Sequence, residues 1–170
     1  MRSNEEVLLN AFPYENTGAI KKVIRILPQL MLRAQDGDQA ASALVMDLSH
    51  AMRMQFHLGS MTYRSTGTDI ISEKQQQVLW LHLVLGFSQR ETAMELAIQP
   101  QSVDDRIKMA IGRISKYLTT GYRGWTWAED DFIKAHFKEH GPEWVSQELD
   151  RPLRQVYNRY HYLRGKGRIA

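Results

Sequence analysis

Residues able to carry covalent chemistry are sparse in this chain, and their spacing argues against an active site. The six histidines, His50, His57, His82, His136, His140 and His161, are scattered, except that His136 and His140 lie four apart on one predicted helix. That pair lacks a third ligand at a defined spacing, so neither a metal nor a cofactor is expected. Asp104–Asp105 and Asp130–Asp131 are adjacent in sequence. Neighbours on a helix point to different sides, so neither pair converges as a general acid and base would. A phosphate-binding glycine loop, HExxH and G-x-S-x-G are all absent. There is no cysteine, which removes disulfides, thiolate zinc sites and thiol nucleophiles and suits a reducing cytoplasm. No enzymatic activity is expected.

Patterned polar residues occur instead on the outward faces of two predicted helices. In the stretch from Pro100 to about Leu118, Val103, Ile107, Ala110, Ile111, Ile114 and Leu118 recur every three or four residues, while Gln101, Asp105, Lys108 and Gly112 project from the other side. From Pro152 onward, Val156, Tyr160 and Leu163 make one stripe, leaving Arg154, Asn158 and His161 outward and Tyr157 on the flank. The last twenty residues contain Arg151, Arg154, Arg159, Arg164, Lys166 and Arg168 and no acid. A chain with formal charge +3 thus concentrates its positive field at one end, which is the pattern of a nucleic-acid surface or of a simply solvated basic tail.

The elements that must hold these faces announce themselves through cap chemistry. Ser72 with Gln75, and Ser88 with Glu91, are capping boxes, each fixing a helix N-terminus. Gln99-Pro100 marks a third start, because proline suits the first helical position. Only Ala97 and Ile98 separate the second helix from the third start, which is helix-turn-helix spacing. The segments ISEKQQQVLWL, GFSQRETAMEL and AIQPQSVDDR in this stretch resemble region 4 of bacterial sigma factors over about fifty residues, including Gly86, Ser88, Glu91, Ala93, Val103 and Arg106. Ala97 stands where that family usually has glycine, and Asp104 and Asp105 where a DNA-reading helix usually carries Lys, Ser or Thr.

The C-terminal module opens WTWAEDDFI, with Thr126 as cap and Glu129 and Asp130 in the first turn, where the helix dipole favours acids. That helix is expected to end near His140 at Gly141-Pro142, with a second over about 143–149 and a third from Pro152. Trp125, Trp144 and Tyr160, the EDD run, HGP and RPLRQVYNRYH resemble the Myb/SANT family of three-helix DNA-binding domains over about forty residues. Tyr160 replaces the family's third tryptophan. This resemblance implies that the third helix enters the DNA major groove with Arg154, Tyr157 and Asn158. Arginine pairs bidentately with guanine and asparagine with adenine. Arg159 is expected to bridge structurally to Asp130 or Asp131. Together the two resemblances, the outward helix faces and the basic tail give Arg154, Tyr157, Asn158, His161, Arg151, Lys166, Arg168, Gln101, Ser102, Arg106 and Lys108 as expected DNA contacts.

Upstream, residues 3–10 are expected to form a short helix, and 17–35 a helix kinked or split by Pro28. Asp38 caps the next helix, whose stripe runs from Ala41 to Phe56. Met31, Met46, Met52, Met54 and Met61 fill gaps in this region or line a partner surface. No apolar run approaches membrane-spanning length, and the first ten residues lack a signal-peptide core. The expected fold is all-α: an N-terminal helical hairpin (1–57), a linker (58–70), a helix-turn-helix (71–118), a short linker (119–124) and a second helix-turn-helix with a basic tail (125–170). The resemblances imply a phage or bacterial transcription regulator in the host cytoplasm, associated with the nucleoid, that binds double-stranded DNA. Bacterial RNA polymerase is an implied partner, and the N-terminal helices offer a route to homo-oligomers. No region resembles the part of sigma factors that melts promoter DNA. The rival readings are a small-terminase-like subunit that recognises viral DNA for packaging, and a polymerase-docking adaptor with secondary DNA contact.

Overall fold

A computed structural model describes residues 12–169, so the helix expected over 3–10 lies outside the described residues. The fold is all-α with one β-hairpin. Its first helices are α1 (Thr17–Arg25), α2 (Leu27–Gln35) and α3 (Gln39–Met52). Asn16 and Asp38 cap α1 and α3 by accepting the N–H of Ala19 and Ala41, both at 3.0 Å. Pro28 splits α1 from α2 as expected: it lacks an N–H and sits in the first turn of the new helix, where none is required.

The stripe predicted to continue to Phe56 stops at Met52, and Arg53 turns left-handed (φ 54°). Strands β1 (Met54–His57) and β2 (Thr62–Ser65) then pair antiparallel, placing Phe56 opposite Tyr63. Both rings pack on Trp80, at centroid distances of 5.9 and 5.2 Å. The expected linker over 58–70 is therefore part of the fold. Asp69, Ile70 and Ile71 are buried, and the Gln76 amide donates to the carbonyls of Met52, Arg53 and Gly67 at 2.9–3.2 Å.

Helix α4 (Glu73–Val78) passes into a π-helical turn over Leu79–Val84. The helix-turn-helix follows as α5 (Gln89–Leu96) and α6 (Pro100–Thr120). Both predicted capping boxes are complete. One apolar core joins Ile20, Ile24, Leu27, Leu44 and Leu48 of the first helices to Leu79, Ile107 and Ile114. The N-terminal helices are thus not a separate hairpin module. They share their core with the helix-turn-helix in a single compact unit that extends to Gly124. The expected linker over 119–124 is also tied down. Its first two residues end α6, Arg123 pairs with Asp69 at 3.3 Å, and a Cβ at Gly124 would meet the Asp69 carbonyl oxygen at 2.6 Å.

The second unit, Trp125–Ala170, holds α7 (Trp127–His140), α8 (Pro142–Glu148) and α9 (Leu153–Gly165). Ile133, Val145, Val156, Tyr160 and Leu163 form its core, with Trp125, Phe137 and Trp144 packed around it. Tyr160 stacks on Phe137 at 3.8 Å with the planes nearly parallel.

Candidate nucleic-acid interface

In the second unit, burial of Val156, Tyr160 and Leu163 fixes the rotation of α9 and turns the residues between them to solvent. Arg154, Tyr157, Asn158 and His161 are all exposed on that outward side. Tyr157 and His161 meet edge to face at 4.5 Å, one helical turn apart. Arg154 has no ion pair among the described residues, so its guanidinium fork is available to an acceptor outside the chain. Past the helix, the N–H groups of Lys166 and Arg168 donate to the carbonyls of Tyr162 and Leu163. The two cations therefore leave from an ordered terminal turn.

Arg151 is a correction to the expected contact set. Its side chain is 2% exposed and donates through Nε and Nη2 to the two carboxylate oxygens of Glu129, at 2.9 and 2.8 Å. It also stacks over the Trp125 ring at 4.2 Å. The left-handed residue Asp150 (φ 48°) turns the chain inward here, and Ser146 Oγ donates to the Arg151 carbonyl at 2.6 Å. Arg151 braces the α8–α9 turn from inside and cannot reach a phosphate. Arg159 makes the expected bridge to Asp130, bidentate at 2.7 and 2.8 Å.

The first unit presents its helix-turn-helix with a different balance of charge. On α6, Gln101 and Lys108 are exposed, whereas Ser102 and Arg106 are half-buried. Lys108 pairs with Asp104 at 2.9 Å, and the Gln101 amide donates to Asp105 at 3.3 Å. The Lys108 hydrogen bond holds the Asp104 carboxyl below the usual carboxylate range and raises the Lys108 ammonium in turn. Ala97 closes the turn in the left-handed region (φ 53°, ψ 46°), the conformation for which glycine is usual. Met94 (74% exposed) and Met109 (55%) leave apolar side chains on this surface.

Three features went unread in the sequence. Tyr162 is exposed and lies under Arg159 and beside Lys166, at 4.7 and 5.8 Å, so it belongs to the cationic side of α9. Trp127, 86% exposed, is not part of the core that its neighbour Trp125 joins, and only its place one residue after the Thr126 cap hints at that. Glu139 adds a carboxylate to His136 and His140, with the three ligand atoms all within 4.8 Å of one another. Its position between the two histidines on one helical face was the available signal.

Among the described residues no helix is long and apolar enough to cross a membrane. No family model, curated protein or solved structure matches the chain.

Proposed function

We propose that this chain is a sequence-specific DNA-binding regulator of transcription whose second unit reads base edges in the major groove with α9. One observation carries the reading. Arg154, Tyr157, Asn158 and His161 share the solvent side of a helix whose opposite side is locked in a core, while Arg151 and Arg159 are held by Glu129 and Asp130. The chain therefore offers a bidentate donor and an amide, the two side chains best suited to guanine and adenine, on a rigid support. Arg164, Lys166 and Arg168 follow at the same end and supply phosphate contacts. The resemblance of the first unit to sigma region 4 supports a phage or bacterial setting, beside RNA polymerase.

A second reading concerns the first unit alone. Its α6 surface is charge-balanced by Asp104–Lys108 and Asp105, and exposed Met94 and Met109 lie on the same helix-turn-helix. Methionines adapt to partner surfaces, and acids repel phosphates. This module then docks on a protein, polymerase being the natural partner, and leaves DNA reading to α9.

A binding site selected from random duplexes, followed by salt titration of variants on that site and on scrambled DNA, tests both readings. Arg154→Ala and Asn158→Ala each cost about 1–3 kcal/mol on the selected site and much less on scrambled DNA. Folded variants that keep full specificity exclude α9 as the reading helix. Changing Asp104 and Asp105 together to Asn strengthens non-specific DNA binding if α6 faces DNA, and leaves it unmoved if that module docks on protein.

A further inference from the structure

We propose that the last turn of α7 is a binding site for a divalent transition-metal ion of the zinc class, held by His136, Glu139 and His140. The three residues occupy one face at helical positions i, i+3 and i+4, so they project together without any backbone adjustment. Their ligand atoms already lie within 4.8 Å of one another, and the His140 Nε2 to Glu139 oxygen distance is 3.7 Å. Metal–ligand bonds of about 2.0–2.2 Å in a tetrahedral site bring donors to roughly 3.3 Å apart. Glu139 and His140 are exposed, at 75% and 38% of their side-chain surface, and close that gap by side-chain rotation alone.

His136 is the fixed point of the site. Its ring sits between Phe132 at 4.5 Å and Trp144 at 5.6 Å, and its buried Nδ1 has no hydrogen-bond partner among the described residues. Aromatic packing rather than a polar partner therefore positions this imidazole. The Trp144 ring also covers His140 at 4.2 Å, restricting the second ligand to the same side.

The donor set selects the ion. Two imidazoles and one carboxylate suit zinc, nickel or copper, whereas magnesium and calcium take shells of oxygen. Three protein ligands leave a fourth position to water. The site also ends a fourteen-residue helix, where the negative end of the helix dipole favours a cation.

The test is calorimetric titration of the full chain with Zn2+ at neutral pH, repeated with Co2+ while following visible absorption and tryptophan emission. One ion binds per chain with micromolar affinity, and Co2+ gives the spectrum of a four-coordinate nitrogen and oxygen site. Loss of groups that merely support a metal ligand costs about 10–100-fold in affinity, so His140→Ala, which removes a ligand, lowers it by about 100-fold or more. Glu139→Gln, which replaces the anionic ligand by a weakly coordinating amide oxygen, lowers it by at least as much as losing a supporting group, about 10–100-fold. Both positions are exposed, and far-ultraviolet circular dichroism confirms that each variant is folded. Absence of uptake by the wild-type chain at submillimolar Zn2+ overturns the proposal. So does uptake that survives both substitutions unchanged, since it then comes from histidines elsewhere.

Discussion

Replacing Arg151 separates a brace from a DNA contact, because the two roles predict losses in different measurements. The guanidinium is 2% exposed and bidentate to Glu129, which is itself buried. Arg151→Met keeps much of the volume but leaves the Glu129 carboxylate facing an apolar neighbour. Breaking one side of a buried pair costs about 3–5 kcal/mol, mostly from stranding the other charge. The second unit is short, running only from Trp125 to Ala170. At roughly 0.05–0.15 kcal/mol per residue, the whole stability of a unit of that length is about 2–7 kcal/mol. The substitution therefore removes from about half to all of it. Trp125, Trp127 and Trp144 lie in this unit and only Trp80 in the other, so near-ultraviolet circular dichroism reports the second unit's packing selectively. The expected result is loss of that signal well below the wild-type unfolding temperature, while most far-ultraviolet helix signal, which comes from the first unit, persists. The companion change Glu129→Gln keeps an acceptor for the Thr126 cap but removes the buried charge, so it restores part of the stability when combined with Arg151→Met. If Arg151→Met unfolds at the wild-type temperature and loses only DNA affinity, the buried bridge does not hold this unit and Arg151 returns to the reading surface.

Two further outcomes concern the first unit. Ala97→Gly removes a Cβ from a left-handed residue, a strain of about 1–2 kcal/mol. Glycine's extra freedom in the unfolded chain returns about 0.4–1 kcal/mol. The variant is thus more stable by about 0.5–1 kcal/mol, seen as a higher urea midpoint, and an unchanged or lower midpoint refutes the turn geometry. Burial raises the Asp69 carboxyl, but hydrogen bonds and charge from Arg53, with Arg123, outweigh it and hold the group below the usual carboxylate range. A depressed carboxyl stabilises the fold above its unfolded value, near pH 4, and that contribution fades as pH falls through the folded value. Asp69→Asn therefore costs about 2–4 kcal/mol at neutral pH by removing the carboxylate that Arg53 and Arg123 share, and the gap between urea melts of variant and wild type closes as pH falls from about 4 through the folded value. A stability gap independent of pH assigns the loss to something other than this charge.

What could be read from the sequence was the chemistry completed within a few residues. The Ser72–Gln75 and Ser88–Glu91 boxes, the Thr126 cap, the break at Pro28 and the helix start at Pro100 are each decided by side chains reaching their own backbone, and all stand as expected. The misread segments depend on distant partners. Met54, Phe56 and Tyr63 alternate as strand residues, but two four-residue strands offer little signal until Trp80 supplies a surface for them. The stripe on α1 and α2 looks the same whether it faces a second helix or the whole helix-turn-helix, so its merger into one core was not legible.

Charge shows the same limit most sharply, and there it bears on function. The run from Arg151 to Arg168 contains six cations on paper. Folding spends two of them, because Arg151 and Arg159 meet Glu129 and Asp130 from a helix more than twenty residues earlier. Only Arg159's pairing was foreseeable, as it projects from the flank of α9 toward the acid run, whereas Arg151 turns inward through the left-handed Asp150. Arg154, Arg164, Lys166 and Arg168 remain exposed. Each phosphate neutralised contributes a slope of about −0.9 to the dependence of log affinity on log salt, so this segment supplies no more than about −3.6. If α9 reads DNA as proposed, a field of that size positions the helix but gives only weak non-specific binding, and the discrimination between sites has to come from the few side chains that reach the bases.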